Sequence, residues 1–182
     1  MNNDSGFGAN GIPFEYAVAE AKTKKLKLKK AAFIAAYVLW GAFALIGGSF
    51  SGFLPILCFV PLSIWIFVFL TWRYTQIEYE CSFFSGKLTV SKILGGRTRK
   101  KLAEIQIRDF SAVLPYSEEN TARVEAYSAD NVIFAASSTE AENLYVALWE
   151  DKETKKRSVL WLELNEKAIK IIKYYNMSAI AK

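Results

Sequence analysis

The sequence predicts an α+β chain: a transmembrane helical hairpin near the N-terminus, then an antiparallel β-barrel or sandwich of about seven strands, capped by a C-terminal amphipathic helix. Three observations carry this. Residues 31–72 are 42 consecutive positions without one charged side chain. From residue 75 onward, apolar and polar side chains alternate in short runs separated by turn-forming residues. The final run, residues 165–176, changes to helical spacing.

Composition fits such a chain and narrows its chemistry. Of 182 residues, 52% are hydrophobic and 15% aromatic, rich for a soluble domain of this size. The net charge is +5. There is no histidine, which removes the usual general base and the commonest metal ligand. Ser-His-Asp and Cys-His sites are excluded in their usual form. Neither an enzymatic activity nor a cofactor is expected. Cys58 lies in an apolar run and Cys81 in a strand pattern, so no disulfide is expected between them; unpaired and buried, they suit a reducing compartment or are simply small hydrophobes.

Residues 1–12 are rich in Asn, Gly and Ser and read as a disordered tail. Pro13 is suited to open a basic juxtamembrane helix over residues 13–30, with Phe14, Val18 and Ala21 on one face. The uncharged run follows. One bilayer span needs about 20 residues at 1.5 Å each, so 42 positions make two spans. The run Gly47-Gly48-Ser49-Phe50-Ser51-Gly52 is the natural break. It divides the hairpin, residues 31–73, into spans at about 31–47 and 53–72. A buried hairpin of a soluble protein would keep a polar face, and neither segment has one. Pro55 opens the second span and Pro61 lies deeper, where membrane helices tolerate it. Ala31, Ala35, Gly41 and Ala42 offer a small-residue face for close packing. No ionisable side chain enters the spans, which disfavours an ion pathway or proton relay.

The flanks set an orientation. Lys22, Lys24, Lys25, Lys27, Lys29 and Lys30 precede the first span, Arg73 follows the second between Trp72 and Tyr74, and the break carries no charge. The positive-inside rule then places both termini in the cytoplasm. The chain reads as a multi-pass protein of the cytoplasmic membrane. The lysines act as a topology anchor at an anionic leaflet; they lack the interleaved aromatics of a nucleic-acid surface, and no nucleic-acid partner is expected.

Residues 74–182 read as a cytoplasmic domain. Ile77, Tyr79, Cys81 and Phe83 alternate with polar residues, and Ser85-Gly86 turns the chain. A second strand, 87–94, points Leu88 and Val90 inward, and Gly95-Gly96 turns again. A third, 97–107, ends with Ala103, Ile105 and Ile107 on one face. Further strands are expected at 112–116, 123–128 and 132–136, then 144–149 and 157–164 across a charged turn. Residues 137–142 are an alternative start of a helical turn. Asn165 is suited to cap the last helix, whose stripe is Ala168, Ile169, Ile171, Ile172 and Tyr175.

Seven strands in hairpin order closed by one amphipathic helix is the pattern of a pleckstrin-homology-like (PH-like) domain. With the uncharged hairpin ending in Trp72-Arg73-Tyr74, the strand with its Ser85-Gly86 turn, the basic run Arg97-Thr98-Arg99-Lys100-Lys101 and the terminal helix, the chain resembles bacterial membrane proteins in which a two-helix hairpin precedes a PH-like domain. That resemblance implies a binding or assembly module.

The run Arg97, Arg99, Lys100 and Lys101 is the densest cytoplasmic charge after the lysine cluster. A strand leaving the membrane near Tyr74 spans roughly 30 Å, and the returning strand brings this turn back towards the headgroups. Each basic residue there is worth about 1 kcal/mol at an anionic surface. These four join Arg73 and the six lysines as candidate contacts to anionic headgroups; a solvated hairpin tip is the competing reading. The leading functional expectation is a membrane-anchored, non-enzymatic binding or scaffolding module that recruits a protein partner, self-associates or holds anionic lipid. An accessory subunit of a larger membrane complex is the alternative, and a membrane-surface enzyme comes last.

Overall fold

The computed structural model describes residues 13–21, 24–51, 55–152 and 154–180. The expected tail, 1–12, lies outside them. The chain divides into two compact units: a helical unit of Ala21–Ile77 and Leu94–Thr98, and a sheet unit of Met1–Glu20, Glu78–Ile93 and Arg99–Lys182.

The helical unit holds α1, Lys24–Ser51, and α2, Pro55–Thr71, which ends in a single 3-10 turn, Trp72–Thr75. Leu26–Phe50 and Cys58–Thr75 are long and apolar enough to cross a membrane. Only 6% of the first and 11% of the second is buried, whereas a core helix of a soluble protein is buried over most of its length. Two expectations change. The helix begins inside the lysine cluster, at Lys24, so there is no separate juxtamembrane helix. It also continues through Gly47-Gly48 to Ser51. Glycine in a helix costs about 1 kcal/mol against alanine, which a helix of 28 residues absorbs; residues 52–54, with the connection itself, lie outside the described residues.

The seam between the helices is not the expected small-residue face. Ala31, Ala35 and Ala42 are exposed, and of the four only Gly41 is buried. A β-carbon at Gly41 would lie 3.3 Å from Ile64 Cδ1, so the helices approach closely there. Polar groups tie the rest. Trp40 Nε1 donates to Ser63 Oγ at 3.0 Å, and Tyr37 and Thr71 share a hydroxyl hydrogen bond. Trp40 also meets Phe67 edge-on, with ring centres 5.6 Å apart.

The sheet unit has eight strands among the described residues, in two four-stranded sheets and without one closed barrel. The first is ordered β1-β2-β3-β4, from Phe14–Ala19, Ile77–Phe84, Lys87–Leu94 and Thr98–Gln106. Here the largest correction falls. Phe14–Ala19, expected as helix, is a strand paired antiparallel with β2, Tyr16 opposite Cys81 and Val18 opposite Tyr79. Phe14 and Val18 are four apart, a spacing that both a helix face and a strand face satisfy. The free edge of β2 decides between them. The domain expected at 74–182 therefore takes its first strand from the other side of the hairpin.

The turn between β2 and β3 is as the sequence suggests. Ser85 and Gly86 both have positive φ, 49° and 78°, the type I′ geometry that follows strand twist. Tyr79, Cys81, Phe83, Leu88, Val90 and Ile105 are buried, Leu88 and Val90 completely.

The second sheet is ordered β5-β7-β8-β6, from Phe110–Pro115, Leu144–Glu150, Arg157–Glu163 and Asn131–Ala135. β6 runs parallel to β8, the other two pairings being antiparallel. A parallel neighbour needs a crossover connection, and α3, Glu118–Ala126, lies in the connection from β5 to β6. The strand expected at 123–128 is therefore helix. Its alternation misleads because Val124 and Tyr127, three apart, also share a helix face; both pack on Ala112, Leu114, Val146, Leu148 and Val159. Glu118 and Glu119 sit in the first turn, where carboxylates complement the helix dipole. Residues 137–142 form turns rather than helix. α4, Glu166–Tyr175, is as expected: Asn165 Oδ1 accepts from Ala168 N at 2.8 Å, and Ala168, Ile171 and Ile172 are buried.

Burial pushes the Cys81 thiol up to about 11 and raises the Tyr16 hydroxyl, which donates to the Glu163 carbonyl at 2.6 Å. A thiol that ionises later in the folded than in the unfolded chain stabilises fully below its ordinary range near 9, and that contribution is lost as pH rises through about 11. Unfolding monitored at pH 8 and pH 11 is expected to show a loss of about 2–3 kcal/mol from this thiol, with the tyrosine adding in the same direction. A Cys81→Ala variant showing the same alkaline loss as the wild type would remove the thiol from this account.

Candidate functional site

The basic residues singled out by the sequence separate into two groups. In the helical unit, Lys24, Lys27 and Lys29 are exposed on the first turns of α1 and Lys30 is half-buried. Lys22 and the side chain of Lys25 lie outside the described residues. Lys29 Nζ donates to the Tyr74 carbonyl at 3.0 Å. That bond brings the start of α1 and the exit of α2 to one end of the helical pair.

Arg73 lies in the 3-10 turn that ends α2. Its Nη2 donates to the Tyr74 hydroxyl at 3.0 Å, while its Nε is buried without a hydrogen-bond partner among the described residues. The turn Gly95-Gly96-Arg97 belongs to the same unit. Gly95 N donates to the Gln76 carbonyl at 2.7 Å, and Gly95 packs so closely on Arg73 that a β-carbon would lie 2.7 Å from Arg73 Cβ. Its φ of +59° is one that glycine adopts freely. Arg97 is thereby laid over the Phe69 ring, its guanidinium carbon 4.5 Å from the ring centre, a cation–π contact. Trp65, Phe69, Trp72, Arg73, Gln76 and Arg97 surround a cavity of about 250 Å³. Two arginines thus line one apolar aromatic wall: the Arg97 guanidinium lies over Phe69, and that of Arg73 packs on Tyr74, 4.9 Å from the ring centre.

In the sheet unit two of the three remaining charges are matched locally. Arg99 pairs with Glu80 at 2.7 Å, and Lys101 with Glu104 at 2.7 Å. Lys87 also reaches Glu104, at 3.2 Å. The Lys101 ammonium, followed by that of Lys87, holds the Glu104 carboxyl below the usual carboxylate range. Such exposed pairs add little stability, but they cancel charge that the sequence alone offers to an anionic surface. Lys100 is exposed.

A second, polar groove of about 460 Å³ runs between β4 and the second sheet, lined by Glu104, Asp130, Asp151, Lys156 and Ser158 among others. Its acids are engaged. Asp130 accepts from Arg157 N at 2.9 Å, Asp151 from Thr154 N at 2.8 Å, and Glu104 holds the two lysines. Among the described residues no group of three His, Cys, Asp or Glu side chains is placed to hold a metal ion. Cys58 and Cys81 are both free, the first exposed and the second buried. Trp149 is buried, Trp161 half-buried between Tyr116 and Phe134, and Tyr174 is exposed.

Sequence reasoning missed the pairing of the acids with the basic run, since Glu80 on β2 and Arg99 on β4 meet across the intervening β3 through the order of the sheet. Asn176 is a further residue without a sequence signal: its amide spans three backbone carbonyls.

A family model described as Bacterial PH-like domain (DUF6106) matches residues 11–182. Comparison with curated proteins and with solved structures found no match.

Proposed function

Because the chain belongs to the bacterial PH-like domain family (DUF6106), we propose that it is a membrane-anchored, non-enzymatic binding and scaffolding module. α1 and α2 span the cytoplasmic membrane with both termini in the cytoplasm, and the PH-like unit recruits a protein partner or anionic lipid at the inner leaflet. One observation carries the orientation. The Lys29–Tyr74 bond gathers the lysines of α1 and Arg73 at one end of the helical pair. Charge of one sign at one end of two apolar helices is what the positive-inside rule needs. The engaged acids of the polar groove and the absence of histidine support binding over catalysis.

The test uses the full chain expressed in a bacterial host. It is expected to stay in the membrane pellet through an alkaline carbonate wash. A reporter active only in the cytoplasm is expected to work after residue 182 and to fail when inserted at residues 52–54. Release into the supernatant would overturn the anchoring. A working reporter in the loop would overturn the orientation.

A further inference from the structure

We infer that the cavity at the exit of α2 binds the headgroup phosphate of one anionic phospholipid, whose acyl chain lies along the aromatic wall. This rests on the membrane anchoring proposed above and gives it a specific site. The argument starts with Arg73. A guanidinium carries five donors in a rigid fork and stays charged. Here Nε is withdrawn from solvent and bonds to nothing among the described residues. Buried donors are almost always satisfied, and an orphan marks a place where something else accepts. Arg97 lines the same cavity, held over Phe69, and cation–π packing on its flat face leaves the N–H edge open to an acceptor.

No carboxylate lines the cavity among the described residues. Two cations without a counter-charge call for an anion, and a phosphate oxygen pair matches the guanidinium fork. The remaining wall selects the source of that phosphate. Trp65, Val68 and Phe69 belong to a helix apolar enough to cross a membrane. A small hydrated phosphate gains nothing from those rings, whereas a lipid lays its chain on them. Trp72 and Tyr74 beside Arg73 supply the aromatic belt that marks headgroup level. Gly95 completes the site within the same unit, because only a residue without a side chain brings Arg97 this close to α2. With two positive charges against a single phosphate, a net-negative headgroup fits and a zwitterionic one, carrying its own ammonium, is disfavoured.

The full chain is reconstituted in nanodiscs of phosphatidylcholine and phosphatidylglycerol, and lipids retained on release are read by native mass spectrometry. The wild type is expected to keep one phosphatidylglycerol. Arg73→Gln and Arg97→Gln are each expected to reduce that retention about tenfold or more, with Lys170→Gln, at an exposed position of α4, as the unchanged control. Arg97 is exposed on its turn, so its variant reports on binding even if Arg73→Gln impairs folding. Equal retention of the two lipids, or unchanged retention in Arg97→Gln, would overturn the inference. Displacement of phosphatidylglycerol by millimolar inorganic phosphate would overturn it in favour of a soluble anion. Variants that remain in the carbonate-washed membrane but lose the lipid leave the anchoring intact, so the two proposals fail separately.

Discussion

Gly95→Ala is expected to lose about 2–5 kcal/mol of stability. A left-handed backbone costs a residue with a β-carbon about 1–2 kcal/mol, and forcing that carbon into filled space costs about 1–3 kcal/mol more. Both apply here. The φ is +59°, and the added carbon would meet Arg73 Cβ at 2.7 Å and Cα at 2.9 Å. The second contact is backbone and cannot rotate away. Gly96 is the internal control. Its φ of +66° carries the same conformational cost, but nothing lies within 4 Å, so Gly96→Ala should lose only the first part. Thermal unfolding of the full chain in detergent compares the two. Equal losses would show that the turn does not pack on the helix exit and would weaken the cavity described above. The substitution is also expected to displace Arg97 from Phe69 and so to reduce lipid retention with both arginines present.

Asn176→Asp is expected to cost about 3 kcal/mol or more. The Asn176 amide nitrogen donates to the carbonyls of Ile107 and Phe110 at 3.0 Å each and to that of Arg108 at 3.3 Å. Its oxygen accepts from Ser178 Oγ at 2.9 Å and Ala179 N at 3.2 Å. One side chain thus fastens the end of α4 to the turn between β4 and β5. Aspartate keeps the acceptor half and turns the donor half into a second acceptor facing three carbonyls. Buried carbonyls left without a donor cost about 1–3 kcal/mol, and more beside a charge. Chemical denaturation of the full chain measures the loss. Lowering the pH protonates the introduced carboxyl and restores one donor, so the deficit should shrink in acid. A loss that is small and independent of pH would mean that the amide is not what holds this end of the helix.

Several parts of this fold are written in consecutive residues. The two helices follow from 42 uncharged positions, and the Asn165 cap and helical stripe define α4. Ser85-Gly86 sets a tight turn, because glycine tolerates the positive φ that this turn requires. The arginines and lysines beside the apolar spans were legible as residue types, since charge next to an uncharged run stands out in the sequence.

Other features depended on partners distant in sequence. Phe14–Ala19 satisfies either period and became a strand because β2 offers an open edge. Residues 123–127 alternate like a strand yet turn one helix face onto β5, β7 and β8. The run Arg97–Lys101 is uniform in charge but not in fate. Arg97 lies on Phe69, whereas the order of the sheet brings Arg99 to Glu80, and Lys87 and Lys101 both reach Glu104. Hydropathy, capping and turn chemistry act within a few residues, and they suffice for the helical pair, the basic character of its one end, the first hairpin turn and the closing helix. The eighth strand, the parallel β6, the Gly41 seam and the arginines that share a cavity each depend on a neighbour distant in sequence that local spacing does not name.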